Sequence, residues 1–333
     1  MDEPRKLQVS LRGASAKEIS RDALLARVSQ ERELRNYTRR ATAAALFIQR
    51  VWRRHSAVKA VSLQLQQQWL SEMNQHASPW DKMQISSIVL RPFIFFISCL
   101  SIRNQKIQAR DVDCMKLCFR VVLESINSTD PNENFCSMVI GTMEERKIWI
   151  YQSKKLILLC LHILVEFDYY GRAVPDIVLL SLAMRLAVVL TDQKGWKSIM
   201  DQDIQDADTA MKNLIWFIGS KESGTYNSIR RYVSKLESPI STQRTPSAPT
   251  DDRFLITASA LTLALRPFHI TDFNVNGGGV REVQYAAEGY FTSLLTIPWF
   301  PHRLPSVLLP ALKHKLVLSS CLRTLLVMAD LKR

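Results

Sequence analysis

Sixty-one consecutive residues, SAKEISRDALLARVSQERELRNYTRRATAAALFIQRVWRRHSAVKAVSLQLQQQWLSEMNQ (Ser15–Gln75), contain neither proline nor glycine. Ala, Leu, Arg, Gln and Glu dominate them, and all are good helix formers. Ser15 followed by Glu18 has the spacing of a capping box. The hydroxyl takes an orphan amide of the first turn and the carboxylate reaches back to the cap. The stretch therefore predicts one long helix, or two nearly continuous ones, ending near Gln75. Sixty helical residues span about 90 Å. No globular core covers such a rod along its whole length, so part of it must be solvated or await a partner.

Working outward, the next 160 residues predict more helices. Lys154–Phe167 (KKLILLCLHILVEF) and Asp176–Leu190 (DIVLLSLAMRLAVVL) are apolar on nearly all sides, as core helices are. Leu117, Val121 and Leu123–Ile126 recur at helical spacing. Asn127–Asn134 (NSTDPNEN) reads as a polar loop and Tyr170–Pro175 (YGRAVP) as a turn. Strand-like alternation is scarce. The predicted class is all-α: a long basic N-terminal helix followed by an armadillo- or HEAT-like array of helical hairpins, each covering its neighbour's apolar face. No fixed-period repeat is visible, so the array rests on pattern alone.

The expected organisation is a basic helix over residues 1–75, a helical body over 76–236, a linker over 237–253 and a helical continuation over 254–333. Glu237–Arg253 (ESPISTQRTPSAPTDDR) has three prolines and one sizeable aliphatic, Ile240. It cannot bury enough surface to offset its ordering entropy. Ser238-Pro239 and Thr245-Pro246 could accept proline-directed phosphorylation, but a solvated loop is the simpler reading. Phe254–Leu265 is apolar and ends at Arg266-Pro267. Asn274–Gly279 reads as a turn. Val307–Leu331 is apolar-periodic and looks cut at Lys332-Arg333.

The 333 residues carry 44 Lys+Arg against 31 Asp+Glu, a formal charge of +13. Residues 1–60 hold 14 basic and 6 acidic side chains, so +8 of that lies there, and no acid occurs from Leu34 to Ser71. A one-signed field of this kind suits an acidic partner or surface. No secretory leader is visible in MDEPRKLQVSLRG, which lacks an apolar core. Arg91 and Pro92 break the run Ile88–Leu100, so buried helices are expected rather than membrane spans. Six cysteines are too sparse for a disulfide scaffold. Most lie in apolar runs, which points to an intracellular setting, cytoplasmic or nuclear.

The motif with most chemical content is Phe47-Ile48-Gln49-Arg50-Val51-Trp52-Arg53-Arg54. It matches the first half of an IQ motif, which spans about residues 43–61: an aliphatic, then Gln, then a basic residue four further on. On a helix, Ile48, Val51 and Trp52 share a face. Such anchors enter the hydrophobic groove of a calmodulin-like protein. Arg50, Arg53, Arg54 and Lys59 suit its acidic lobes, and Gln49 can bond to exposed backbone. Arg54 stands where the motif usually has Gly, and Val58 where it has a second basic residue, with Lys59 one place late. Val61 fills the last apolar position. The competing readings are packing of this helix on the chain's own body and contact with acidic lipid or nucleic acid. No helix-turn-helix, zinc-finger or RNA-recognition signature supports a specific nucleic-acid partner.

Other chemistry is scarce. Cys114 and Cys118 could hold half a zinc site, but no His lies in ligand spacing, so two small core residues are the better reading. His162 is expected to be a core histidine bonded to a neighbouring carbonyl. Asn276-Gly277-Gly278-Gly279 lacks the Lys-Ser/Thr of a P-loop. Cys321 has only Arg323 nearby to activate it and is read as inert. No catalytic residue, cofactor or metal is assigned.

The opening Arg5-Lys6-Leu7-Gln8-Val9-Ser10-Leu11-Arg12-Gly13-Ala14-Ser15-Ala16-Lys17-Glu18 resembles that of plant HECT-type E3 ubiquitin ligases with an N-terminal IQ motif. There a basic opening precedes an Arg/Glu-rich helix and then the IQ helix. Arg21–Arg40 and Ala43–Arg54 follow that order here, and the specific likeness covers residues 5–70. Leu304–Lys315 (LPSVLLPALKHK) is similar in style. The resemblance implies a regulatory, substrate-recruiting N-terminal region in the ubiquitin conjugation pathway. Calmodulin, and protein substrates of ubiquitination, are the implied partners. The family's catalytic cysteine sits in a C-terminal HECT domain that also meets the E2. This chain has no counterpart of it, so no cysteine is carried over as catalytic and the chain alone is expected to be inactive. It would then be a fragment or short form. The alternative is a stand-alone calmodulin-binding helical scaffold.

Overall fold

The computed structural model describes residues 21–76, 79–100, 107–167, 176–192, 204–235, 252–269 and 279–296, together with Ser319, Leu322 and Leu326. Every regular element among them is helical, so the fold is all-α. The expected capping box at Ser15, the Tyr170–Pro175 turn, most of the 237–253 linker, the Asn274–Gly278 turn, Cys321 and nearly all of the last apolar stretch lie outside the described residues. The chain divides into two compact units, Met1–Ala60 and Val61–Arg333.

In the first unit, the described part is the leading portion of α1 (Arg21–Gln75), exposed on every face up to His55. It is sustained locally: Glu31 receives Arg27 at 3.7 Å and Arg35 at 3.0 Å, each one turn away. Pairs of this spacing stabilise a helix by about 0.2–0.5 kcal/mol each.

The second unit takes over the same helix. Ser62, Gln66, Trp69 and Met73 recur every three or four residues and are buried. Trp69, 1% exposed, packs on Phe93 and Phe96 at centroid distances of 5.9 and 5.6 Å. Gln66 donates from Nε2 to Asp111 Oδ1 at 3.0 Å, tying α1 to α4 (Ala109–Asn127). Burial pushes the Asp111 carboxyl above its ordinary range, while Gln66 and Arg110 oppose that shift.

Between α1 and α4, a short turn α2 (Lys82–Gln84) runs through a π-helical turn (Ile85–Leu90) into α3 (Arg91–Leu100). The helical run continues across Arg91-Pro92, the pair that interrupts the apolar stretch Ile88–Leu100. A proline lacks the amide that an α-helix needs, and a π turn is one way to accommodate it. The Arg91 amide reaches back to Ser86 O, skipping one carbonyl. Gln152 then bonds Ser86 twice: its Nε2 donates to Ser86 O at 2.9 Å and its Oε1 accepts from Ser86 Oγ at 3.0 Å. Trp69 Nε1 donates to Val89 O at 3.0 Å. These contacts tie the π turn to α5 and to α1.

The centre of this unit is α5 (Met143–Glu166) and α6 (Ile177–Leu190). Thr142 and Glu145 form a capping box at the start of α5, and Asp176 caps α6. α6 lies against α4, α5 and α9 (Asp252–Leu265); α5 also meets α7 (Ile204–Gly219) and α8 (Thr225–Lys235). Gly224, at φ +62°, makes the left-handed turn between α7 and α8. A last helix, α10 (Gly279–Tyr290), passes so close to α8 that a Cβ at Gly289 would stand 2.5 Å from the Tyr226 ring. The core helices differ in length, from 24 residues in α5 to 11 in α8.

Two helical stretches, Lys82–Cys99 and Met143–Glu166, are long and apolar enough to cross a membrane by length and composition. The residues they bury, among them Phe93, Phe96, Trp149, Ile157 and Leu164, belong to the common core of the second unit.

Candidate protein-docking helix

All nine residues expected to form the IQ-like site lie on α1. Phe47, Ile48, Val51, Trp52 and Val61 are large apolar side chains left in water; Ile48 is 65% and Trp52 66% exposed. Gln49, Arg53, Arg54 and Lys59 are exposed as well, as is Arg50. An isolated apolar residue at the surface needs no explanation, whereas five within fifteen positions of one helix form a patch that does. Ile48, Val51 and Trp52 project from one side at spacings of three and four.

Among the described residues, the buried positions of α1 begin at Ser62. Ser62 is fully buried while Val61 beside it is 55% exposed. The helix changes environment along its length: the side chains around Ile48 are exposed, and the turns from Ser62 to Met73 build core. The second half of the IQ pattern, already altered at Arg54 and Val58, ends where burial begins. A groove-forming partner therefore has the Phe47–Trp52 side to grip.

Electrostatics reinforce this. Since no carboxylate occurs from Leu34 to Ser71, Arg39, Arg40, Arg50, Arg53, Arg54 and Lys59 have no acidic neighbour within a turn on their own helix. Exposed cations of one sign raise the encounter rate with an acidic surface and make it salt-dependent.

One set of exposed residues went unread in the sequence. Leu34 and Tyr37 are exposed and precede the anchors on the same face, with Ala41 and Ala44 between them. The signal was the alternating spacing of three and four that joins Leu34 to Val51.

Elsewhere the described residues hold no group of three or more His, Cys, Asp or Glu that could bind a metal. Cys114, Cys118, Cys136 and Cys160 are free and buried, and burial pushes all four thiols up. His162 departs from expectation. Its Nε2 is buried and has no hydrogen-bond partner, where a bond to a neighbouring carbonyl was expected. Burial holds its pKa below the ordinary value, and nearby Glu166 only partly offsets that.

No family model, no curated protein and no solved structure matches this chain.

Proposed function

We propose that the chain is the regulatory and substrate-recruiting N-terminal region of a HECT-type E3 ubiquitin ligase, and that α1 is where a calmodulin-like protein docks. One observation supports the docking: Phe47, Ile48, Val51 and Trp52 stand in solvent on a helix whose charges from Leu34 to Ser71 are all positive. Helix-in-groove recognition needs that combination of apolar anchors and complementary charge. The link to ubiquitin rests on the resemblance of residues 5–70 and on the order of its segments. In this reading the helical body is an armadillo- or HEAT-like surface for protein substrates, and contact with an E2 belongs to a HECT domain beyond this chain.

The test of docking is calorimetric titration of the full chain with calmodulin, with and without calcium. Burying one large apolar side chain is worth about 1.5–3 kcal/mol, so Trp52→Ala is expected to weaken binding about tenfold or more. Reversing Arg50 and Arg53 is expected to lower the association rate and flatten its salt dependence. No heat at micromolar concentrations in either condition would retire the calmodulin-like partner. The ligase reading is tested separately, by whether the transcript continues in frame past Arg333 toward a HECT domain. A supported stop there favours the scaffold alternative.

A further inference from the structure

The exposed face of α1 has the same order of large and small side chains in both directions. Leu34, Tyr37, Ala41, Ala44, Ile48 and Val51 follow one another at alternating spacings of three and four, the seam of a coiled coil. All six are exposed. Turned end for end against itself, the seam matches: Leu34 meets Val51 of the second copy, Tyr37 meets Ile48, and Ala41 meets Ala44. Large side chains fill both ends, and the alanines let the backbones approach at the crossing. The matched length is about 26 Å at 1.5 Å per residue.

The charges select this orientation. In the antiparallel pairing, Glu33 flanks the seam opposite Arg54 of the second copy, at both ends by symmetry. In a parallel pairing Arg54 would face Lys59 of the second copy, like against like. Arg32, Arg39 and Arg53 lie opposite the seam, and Arg35 and Arg50 are turned to solvent beside it, so most of the positive charge stays hydrated. Phe47 and Trp52 border the seam and widen the apolar strip.

We infer that α1 is a self-association surface: two copies of this chain pair antiparallel through the Leu34–Val51 seam. Ile48 and Val51 then serve two mutually exclusive partners, a second copy and the acidic protein of the preceding section. Docking of that protein leaves a monomer.

The experiment is sedimentation of the full chain under reducing conditions, with no other protein present, so that its failure leaves the calmodulin-like reading standing. A monomer–dimer equilibrium in the micromolar range is expected. Tyr37→Asp and Ile48→Asp, both at exposed positions, are expected to yield monomers with unchanged helix content by circular dichroism. Glu33→Arg alone and Arg54→Glu alone are each expected to weaken the dimer about fivefold, since two symmetry-related pairs are lost. The two together are expected to restore it to within about threefold of the original. A chain that stays monomeric at hundreds of micromolar overturns the inference. So does a dimer indifferent to Ile48→Asp, or one tightened by Arg54→Glu as parallel pairing requires.

Discussion

Asp176 and His162 tie stability to pH in the same direction, for different reasons. Asp176 accepts from the Leu179 amide at 2.8 Å as N-cap of α6 and pairs with Lys116 of α4. Burial raises its pKa, but the Lys116 contact and the amide outweigh this, and the net shift is downward. A depressed carboxyl contributes stability above its unfolded pKa, and that contribution disappears as pH falls through its folded value. Asp176→Ala is expected to cost about 0.5–2 kcal/mol in urea unfolding at neutral pH. Asp176→Asn keeps the cap and loses the ion pair; because the pair is half-exposed, its cost is expected below about 1 kcal/mol. Equal losses from both would show that capping contributes nothing. His162 is depressed for another reason, burial without a partner for Nε2. Below about pH 6.5, the ordinary histidine value, the unfolded chain takes up a proton that the folded chain resists, so stability falls as pH falls. His162→Leu is expected to flatten the stability–pH curve between about pH 5 and 7. An unchanged slope would mean that the imidazole is readily hydrated in the folded state.

At the scale of the element, α1 is one helix in two environments. Its first part has only local pairs such as Glu31 with Arg27 and Arg35, and isolated helices in water are marginal. Its last part is held by Trp69 and Gln66 in the core. In dilute solution, amides from Arg21 to Ala60 are expected to exchange at least about a hundredfold faster than those from Ser62 to Gln75. Uniform slow exchange would mean that something covers the first part. The helix was legible because no Gly or Pro interrupts it, and the core character of α5 and α6 because they are apolar on nearly all sides. Three kinds of feature were not legible. Pro92 is an ordinary helix-breaking signal, and the π turn that precedes it has no mark in the local sequence. The anchors around Ile48 match a motif, but the limit of that motif is set by burial at Ser62, and Ser62 carries no local mark of it. The partner of Asp111 is 45 residues away in Gln66, a separation beyond any local pattern.

For the whole molecule, the question is whether this chain can carry ubiquitin itself. A thioester requires a thiolate that can reach an E2, and thiolates form where positive charge or a helix N-terminus lowers the thiol pKa. Four of the described cysteines have the opposite environment. Cys118, Cys136 and Cys160 are fully buried and Cys114 is 1% exposed, and desolvation is the first cause of each upward shift. Cys99 alone of the five is partly accessible. With E1, E2 and ATP, the purified chain is therefore expected to form no ubiquitin adduct that a reductant releases on a denaturing gel. A reducible adduct abolished by one Cys→Ala change would identify a nucleophile and overturn the division of labour proposed above. If Cys99→Ala abolished it, the α3 region would have to open toward the E2. If only Cys321→Ala did, chemistry would lie in the last apolar stretch. Without an adduct, the role proposed for this chain reduces to recognition, with α1 as the proposed docking helix.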